Sequence, residues 1–321
     1  MDWNRVKQKS PESAKPKGAY TNLDDLIRIR FKTADFSFKP AQPVNSILSG
    51  RYASRLRGRG LNFEELRRYH PGDDIRSMDW KVTARTRSPH VRVYSEEKDR
   101  SVLLIVDQRL NMFFGTRNRM KSVTAAELAA LGAWRALDSG DRIGMVAFND
   151  STVMEHKPQR SQKAVMTMFH TLTGMNHDLS INTAVERQPD KLNQALITAN
   201  KLVSHDSLVI IISDFDGVNE QTEKLVSQLA RHNDIIGMLV HDPVRINPLK
   251  QNINVSDGML QFMMNLKSKK TRQAIVDDYR HEQELIKQYL QKLSAPLLMI
   301  SNETDVVDQV RQLLGVAKLS R

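Results

Sequence analysis

The sequence predicts an α/β fold built on a doubly wound, mostly parallel sheet. Between residues 101 and 301, short apolar segments rich in Val, Ile and Leu alternate with amphipathic segments of helical periodicity. The apolar segments are almost uninterrupted, which is typical of parallel strands that are covered by helices on both faces. Two of these segments end in aspartate. They therefore place acidic groups at the sheet edge where such folds bind ligands.

Each element of this sheet is predicted from its own stretch of sequence. The expected strands are residues 102–107, 143–148, 208–214, 235–241 and 296–301, with 151–156 as a short hairpin strand beside the second. The expected helices are residues 121–138, 161–172, 190–203, 219–232, 271–293 and 304–315. The chain contains no internal repeat.

The first hundred residues follow a different pattern. Residues 1–20 are rich in Lys, Ser and Pro and are predicted to be disordered. A helix is expected to follow, because Asp24 and Asp25 would lie in its first turn, where the helix dipole favours acids. The segment NFEELRRY, residues 62–69, is predicted to be a short helix that ends at HPGDD, since Pro and Gly interrupt helices.

Composition limits the classes of function. The 321 residues contain no cysteine, which excludes disulfides, thiol nucleophiles and zinc–thiolate sites. The N-terminal residues lack the apolar core of a signal peptide, and no segment approaches the roughly 18 apolar residues that span a bilayer. We therefore expect a soluble, cytoplasmic protein.

The positive charge is concentrated near the N-terminus. The net charge of the chain is +11, and residues 1–100 hold 22 Lys and Arg against 13 Asp and Glu. Such asymmetry is typical of proteins that bind nucleic acid or acidic partners. A solvated basic tail is the simpler explanation on composition alone.

Acidic residues follow two strands that should be neighbours in the sheet. Asp107 closes the first strand, Asp214 closes the third, and Asp216 follows two residues later. In a doubly wound sheet these strands flank the point where strand order reverses, so both carboxylates would lie on one edge. The alternative is that each aspartate only caps a turn or the following helix.

Five motifs in the chain resemble the domain of unknown function 58 family in order and spacing. They are GRGLNFEELRRYHPGDDIRSMDWKVTART, VRVYSEEKDRSVLLIVD, GDRIGMVAFND, SLVIIISDFDG and HDPV. The resemblance runs from about Ser49 to Leu314 and implies a von Willebrand factor A-like domain over 101–316. It also implies a small family-specific module, which we place at 46–100. The basic tail and short helix predicted above from the sequence pattern precede this module over 1–45. The family is further associated with MoxR-type AAA+ ATPases, and no enzymatic activity is established for it.

The resemblance raises the question of a metal site in the segment SVLLIVDQRLNM. Metal-binding A-domains hold Mg²⁺ with an Asp-x-Ser-x-Ser loop, a threonine and a second aspartate. Carried over to this chain, Asp107 matches the first aspartate and Asp214 the second, but Arg109 and Asn111 replace the two serines. The threonine has no clear counterpart, and Thr183 is the only position we can nominate.

Arginine at this position conflicts with a bound metal ion. Mg²⁺ needs about six oxygen ligands, and Arg109 supplies none, because a guanidinium has only donors. Our hypothesis is that Arg109 pairs with the carboxylates of Asp107 and Asp214 and takes the place of the metal. The alternative is that Arg109 points to solvent, so that Asp107, Asn111, Asp214 and water hold a weak ion.

The family-specific module interleaves charges of both signs with aromatic groups. Its candidate residues are Arg67, Arg68, Tyr69, Pro71, Gly72, Asp73, Asp74, Arg76, Asp79, Trp80 and Arg85. We expect a structural ion-pair network that pins the module to the A-domain, with Trp80 as its apolar anchor. The alternative is a surface that docks the ATPase or a client.

The arginines at 51, 55, 57 and 59 have no acid among them and could bind a phosphate or an acidic partner. We do not expect nucleic acid binding, because this cluster has no aromatic residue besides Tyr52 and no RNA- or DNA-binding fold accompanies it.

We therefore predict a non-enzymatic adaptor or co-chaperone of a MoxR-type ATPase, without a cofactor. The chain lacks the P-loop, the Gly-x-Ser-x-Gly motif and the His-Glu-x-x-His motif. The alternative function is a magnesium-dependent ligand-binding or hydrolytic module at the same edge, formed by Asp107, Asp214 and Asp216. The sequence specifies neither the client nor the oligomeric state.

Overall fold

The computed structural model describes residues 18–32, 62–95, 100–180, 188–248, 250, 253–256, 261–264 and 266–313. These residues divide into two compact units, a small one within residues 49–99 and a large one formed by the rest. The basic tail, the arginines at 51–59 and Thr183 lie outside the described residues. No helix in the described ranges is long and apolar enough to cross a membrane.

The first helix of the chain belongs to the large unit. Helix α1, Leu23–Lys32, packs on the sheet's first covering helix through Leu26 and Ile29, which are both buried. The indole Nε1 of Trp134 donates a hydrogen bond of 3.0 Å to the carbonyl oxygen of Leu26. The apolar face of α1 thus completes the core on one side of the sheet.

The small unit is a two-stranded ribbon with two short helical segments between its strands. Strand β1, Asn62–Arg68, pairs antiparallel with β2, His90–Ser95. A 3-10 turn, Ile75–Ser77, and helix α2, Trp80–Thr86, lie between them. The prediction of a helix over residues 62–69 is therefore wrong. Isolated helices of this length are marginal, and the cross-strand hydrogen bonds to β2 outweigh the local helix propensity.

The large unit is built on a six-stranded sheet. Its strands are β3 Ser101–Asp107, β4 Arg142–Phe148, β5 Val153–Gln159, β6 Leu208–Ser213, β7 Asp234–His241 and β10 Leu297–Ser301. They lie in the order β10-β7-β6-β3-β4-β5, and only β5 runs antiparallel to its neighbour. A short ribbon of β8 Ile253–Ser256 and β9 Gln261–Met264 is separate. The predicted mostly parallel α/β sheet is confirmed, including the antiparallel strand beside β4.

Helices cover both faces of this sheet. They are α3 Lys121–Asp138, α4 Gln162–Asp178, α5 Lys191–Leu202, α6 Glu220–Ala230, α7 Lys269–Lys292 and α8 Val306–Leu313. Helices α1, α3, α4 and α8 pack on one face, and α5, α6 and α7 on the other. Successive side chains of β3 enter the two cores in turn, with Leu104 on one side and Ile105 on the other. The architecture is a Rossmann-like, doubly wound sheet.

Strand order reverses between β3 and β6. The chain leaves β3 for β4 on one side and later returns to pair β6 on the other side of β3, with Val106 opposite Ile212. The carboxyl ends of these two central strands therefore open on the same edge, which is where ligands bind in doubly wound sheets.

Candidate interaction site at the carboxyl ends of the strands

Five predicted residues lie together at the carboxyl ends of β3 and β6, and we call them the rim site. They are Asp107, Arg109, Asn111, Asp214 and Asp216. Asp107 is the last residue of β3, and Asp214 follows the last residue of β6. The sheet register, rather than any local sequence feature, makes these two acids neighbours.

The Arg109 side chain folds back onto Asp107, two residues earlier. Its Nη2 donates to Asp107 Oδ2 at 2.7 Å, and its Nε lies 3.1 Å from Oδ1. The backbone amide of Arg109 also donates to Asp107 Oδ1 at 2.9 Å. Both side chains are almost completely buried, with exposed fractions of 2% and 0%. Asp107 and Arg109 thus form a buried, bidentate ion pair at the end of β3.

Neighbouring groups occupy the remaining hydrogen-bonding capacity of this pair. Ser213 Oγ donates to Asp107 Oδ2 at 2.7 Å, and Arg109 Nη2 also donates to the carbonyl oxygen of Asp216 at 3.0 Å. The guanidinium carbon lies 5.5 Å from the centre of the Phe148 ring. Burial opposes the charge of Arg109, but the carboxylate of Asp107 outweighs it and raises the pKa of the guanidinium. Arg109 therefore remains a fixed cation.

Asp214 is compensated by a different cation, Lys121, the first residue of α3. Lys121 Nζ lies 2.5 Å from Asp214 Oδ2, and Asn111 Nδ2 donates to Asp214 Oδ1 at 2.7 Å. Arg109 Nη2 is farther away, at 4.0 Å from Oδ1. Burial alone would raise the pKa of Asp214, but Lys121 and Arg109 outweigh it and hold the pKa below its ordinary value. Asp214 is therefore an ionised carboxylate inside a ring of donors.

The loop that carries Arg109 and Asn111 is held in place by two further polar residues. Asp150 accepts a hydrogen bond from the amide of Leu110 at 2.7 Å and another from the amide of Gln188 at 3.0 Å. Gln108 is fully buried, and its Nε2 donates to the carbonyl oxygen of Ser122 at 2.9 Å. These bonds fix the backbone on both sides of Arg109, so that its side chain meets Asp107 without a large loss of conformational entropy on pairing.

The arrangement does not fit an adhesion-type magnesium ion. A divalent cation there needs free carboxylate oxygens, but Arg109 covers both oxygens of Asp107 while Lys121 and Asn111 cover those of Asp214. Among the residues that the structure describes, no three His, Asp or Glu side chains are placed to share a metal ion. The geometry instead suits a rigid sheet edge in which buried charges neutralise one another.

Asp216 differs from the other rim acids because its carboxylate is exposed. Its backbone amide donates to Asp214 Oδ1 at 3.1 Å, and its backbone oxygen accepts from Arg109, while the side chain faces solvent. The residue therefore presents an exposed negative charge at the rim, and that charge also adds, after Asp107 and Asp214, to the raised pKa of Arg109.

Sequence reasoning missed three groups that build this site, namely Lys121, Ser213 and Asp150. Lys121 offered a signal, because a lysine at the first position of a buried helix opposes the helix dipole and needs a local reason. Ser213 and Asp150 offered none that distinguishes them from ordinary strand-end residues.

The candidate residues of the family-specific module lie in the small unit. Two of them, Asp73 and Asp79, form ion pairs within that unit. Arg67 binds Asp73 through two bonds of 2.8 Å, and Arg92 Nε donates to Asp79 Oδ2 at 2.9 Å. Asp79 also accepts from the amides of Lys81 and Val82 and so caps α2.

The rest of the module's candidate residues shape its backbone. Arg68 ends β1, and the amide of Tyr69 donates to the carbonyl oxygen of Pro89 at 2.9 Å. Pro71 and Gly72 form the turn that follows, with Gly72 at a φ of 102° that favours glycine. Asp74 caps the 3-10 turn that contains Arg76, and Arg85 lies in the last turn of α2.

Trp80 is 65% exposed, so its ring is not packed in the core of the small unit. Its role as an anchor of the module to the A-domain stays a prediction. The indole extends outward from the first position of α2, where the backbone is fixed by the Asp79 cap rather than by packing of the ring.

Comparison with known proteins relates the chain to other uncharacterised sequences. The family described as "Protein of unknown function DUF58" matches residues 65–285. An uncharacterized protein of Mycobacterium bovis is 28% identical over 227 residues, covering 68% of this chain and 67% of the relative, and relatives in two Mycobacterium tuberculosis strains match equally. The solved structure of conserved hypothetical protein BatB from Bacteroides thetaiotaomicron matches 67% of this chain and 97% of its own, with 11% identity and a TM-score of 0.39. These descriptions name no activity.

Proposed function

Because the chain belongs to the family described as protein of unknown function DUF58, we propose that it is a non-enzymatic protein-interaction module whose rim site works without a metal ion. In this proposal the buried ion pairs hold the rim rigid, and the exposed carboxylate of Asp216 is the charge that the rim presents to a protein partner. The partner is a MoxR-type AAA+ ATPase, for which the chain acts as an adaptor or co-chaperone.

One observation supports the metal-independent part of the proposal above all others. The guanidinium of Arg109 is buried against Asp107 within 2.7 Å, at the position where an adhesion-type site would need a ligand oxygen. Freeing Asp107 for a metal would leave a buried arginine without its counter-ion, which costs on the order of several kcal/mol. A magnesium ion bound by carboxylates and water does not repay such a cost at physiological concentrations.

The proposal of an ATPase partner rests on the family resemblance, and the exposed carboxylate of Asp216 supports it chemically. A charge at the rim that is not needed for the buried pairs is available to a partner. The absence of the common hydrolase and P-loop motifs from the sequence supports a role in binding rather than turnover.

Calorimetric titration tests the metal-independent part. We expect no sub-millimolar heat of binding when Mg²⁺ or Mn²⁺ is added to the full chain. The matched variant is Arg109→Ser combined with Asn111→Ser and Lys121→Met, which removes both cations and restores the two hydroxyl ligands. Sub-millimolar binding to the unsubstituted chain would overturn metal independence and favour the alternative of a magnesium-dependent module.

Co-purification tests the partner. The full chain is co-expressed with the MoxR-type ATPase of the same genome, and complex formation is measured with and without ATP. We expect Asp216→Lys to weaken the complex by about tenfold or more, which corresponds to loss of one well-placed charge contact. Glu155→Lys, which reverses an exposed acid in the middle of β5, is the control and should leave the complex intact. No complex, or equal binding by both variants, would contradict the proposal.

A further inference from the structure

The short segment before α1 is attached to the part of the large unit that supports the rim site. We call residues 18–22 the N-terminal strap. The carbonyl oxygen of Gly18 accepts a hydrogen bond of 2.9 Å from the amide of Met120, the residue before Lys121. Gly18 has a φ of 85°, and a side chain there would overlap the carbonyl oxygen of Asn118. Glycine therefore permits a close approach of the strap to the start of α3.

The strap is also bonded to the end of α4. The hydroxyl of Tyr20 donates to the carbonyl oxygen of Leu179 at 2.9 Å. The amide of Thr21 donates to Asn176 Oδ1 at 2.9 Å, and His177 Nε2 lies 2.8 Å from the carbonyl oxygen of Thr21. Thr21 and Asn176 are both almost completely buried. The bond between them is therefore shielded from water, and breaking it leaves buried polar groups without a partner.

Asn176 connects this attachment to the rim. Its Nδ2 donates to Gln108 Oε1 at 3.1 Å, and Gln108 Nε2 donates to the carbonyl oxygen of Ser122 at 2.9 Å. Gln108 immediately precedes Arg109 in the sequence. Ser122 immediately follows Lys121. The two cations that neutralise the rim carboxylates are thus each one residue away from a member of this buried chain of hydrogen bonds.

From these contacts we infer that the N-terminal strap is a latch that holds the rim site in its charge-paired form. The attached strap fixes the backbone beside both rim cations, through Met120 on one side and through Asn176 on the other. When the strap is released, each of these two residues loses a hydrogen bond, and the rim cations lose part of their support. The order of the strap and the order of the rim are therefore coupled, and such coupling acts equally in both directions.

The position of the strap suits a latch, because it can detach without unfolding the sheet. Helix α1, which follows it, has its own attachment through the buried side chains of Leu26 and Ile29. In the strap, Ala19 and Thr21 are buried, whereas Tyr20 is partly exposed. Short segments that bury few apolar side chains open locally at a free energy well below that of global unfolding.

Hydrogen–deuterium exchange of the full chain tests the latch. The variant is Gly18→Ala, whose added methyl group displaces the strap from Asn118. We expect amide exchange to accelerate by about tenfold or more in the strap and also in residues 108–112 of the rim. Gly72→Ala is the matched control, since Gly72 also has a positive φ but an added methyl group there meets no atom within 4 Å. It should leave exchange in the strap and the rim unchanged.

The NMR signal of the Arg109 Nε–H group reports the ion pair itself, because this group donates to Asp107. We expect the signal to shift or broaden in Gly18→Ala and to stay unchanged in Gly72→Ala. Tyr20→Phe is a milder second variant, which removes the hydroxyl that donates to Leu179. It should accelerate exchange in the same residues by a smaller factor.

The reverse direction of the coupling gives a second measurement. Gln108→Met removes both hydrogen bonds of the Gln108 side chain and should accelerate exchange in residues 19–22. Gln162→Met makes the same change at an exposed position of α4 and should leave exchange there unchanged. Unchanged exchange at residues 108–112 in Gly18→Ala would overturn the inference. An equal acceleration throughout the central strands would also overturn it, because the effect would then be a general loss of stability.

Control of partner binding by this latch rests on the proposed function. The exchange measurements use the chain alone, so their failure is distinguishable from failure of the co-purification with the ATPase.

Discussion

The two strand-end carboxylates of the rim, Asp107 and Asp214, are neutralised in different ways. Asp107 is bound by Arg109 from its own loop, only two residues along the chain, and is completely buried. Asp214 is bound by Lys121 from the start of α3, 93 residues away, and by the amide of Asn111. The first pair is local in sequence and bidentate, whereas the second is distant in sequence and shared among several donors.

This difference predicts how each carboxylate responds when its cation is removed. Asp107 depends on one guanidinium for most of its compensation, with only the hydroxyl of Ser213 and the amide of Arg109 in addition. Asp214 keeps Asn111, the amide of Asp216 and a more distant Arg109 when Lys121 is lost. Loss of Arg109 should therefore lower the free energy of unfolding more than loss of Lys121 does. The following substitutions test this expectation, from the largest effect to the smallest.

Replacing Arg109 with alanine should have the largest effect. The substitution leaves the buried carboxylate of Asp107 without a counter-ion, and we expect the free energy of unfolding to fall by about 3–5 kcal/mol. Denaturant unfolding measures the change. Arg117→Ala is the matched control, since it removes an exposed arginine from its pair with Glu303 and should cost less than about 1 kcal/mol. An unchanged midpoint for Arg109→Ala would show that the pair does not contribute to stability.

Replacing Lys121 with methionine should lower the free energy of unfolding by less, about 2 kcal/mol, because Asp214 keeps its other hydrogen-bond donors. Methionine preserves most of the side-chain length, so the change isolates the charge. Lys32→Met is the control, because Lys32 forms a comparable pair of 2.7 Å with Asp305 on the exposed surface. That control should cost no more than about 1 kcal/mol. If Lys121→Met proved as costly as Arg109→Ala, the distributed compensation of Asp214 would be contradicted.

The contrast between the two pairs also explains what could be predicted from sequence. The apolar strands predict the sheet, and Asp107 with Arg109 can be recognised together because they are neighbours in the chain. The contact between Lys121 and Asp214 depends on how α3 packs across the ends of β3 and β6, which no local pattern encodes. The prediction of a helix over 62–69 is wrong for the same reason, since the strand there forms only by pairing with residues well further along the chain, such as Leu66 with Arg92.

Acidification should destabilise the protein through Asp214. Its pKa in the folded protein lies below the ordinary value of 3.8, because Lys121 and Arg109 outweigh the effect of burial. The stability that this carboxylate contributes is therefore complete above about pH 4 and is lost as the pH falls through the lower folded-state pKa. Unfolding measured across this range should show a steeper loss for the unsubstituted chain than for Asp214→Asn.

Lys121→Met gives this pH dependence a sharper test. Removing the ammonium removes a cation that lowers the pKa of Asp214, so the acid-induced loss of stability should begin at a higher pH than in the unsubstituted chain. Lys32→Met removes a cation from Asp305 instead and should leave the Asp214 transition in place. The same onset in Lys121→Met and the unsubstituted chain would contradict the assignment of Lys121 as the main counter-ion.

Replacing Asn111 with alanine should lower the free energy of unfolding by about 1 kcal/mol, which is less than the effect of Lys121→Met. The change removes one hydrogen bond of 2.7 Å to Asp214 Oδ1, while the ion pair with Lys121 and the amide of Asp216 remain. Denaturant unfolding of Asn111→Ala and of Asn111→Asp distinguishes two contributions. The first variant removes the hydrogen bond to Asp214, and the second also adds a negative charge beside it. The aspartate places a second carboxylate against Asp214 and should destabilise more than the alanine does. Equal effects of the two would show that Asn111 does not donate to Asp214.

Replacing Asp216 with asparagine should have the smallest effect on stability, within about 0.5 kcal/mol. The rim uses the backbone amide and carbonyl of this residue, and both are retained, while the side chain that changes is exposed. Equilibrium unfolding checks the stability, and binding of the ATPase checks the surface charge in the same preparation. A stability loss comparable with that of Asn111→Ala would mean that the Asp216 carboxylate belongs to the buried charge arrangement and is not available to a partner.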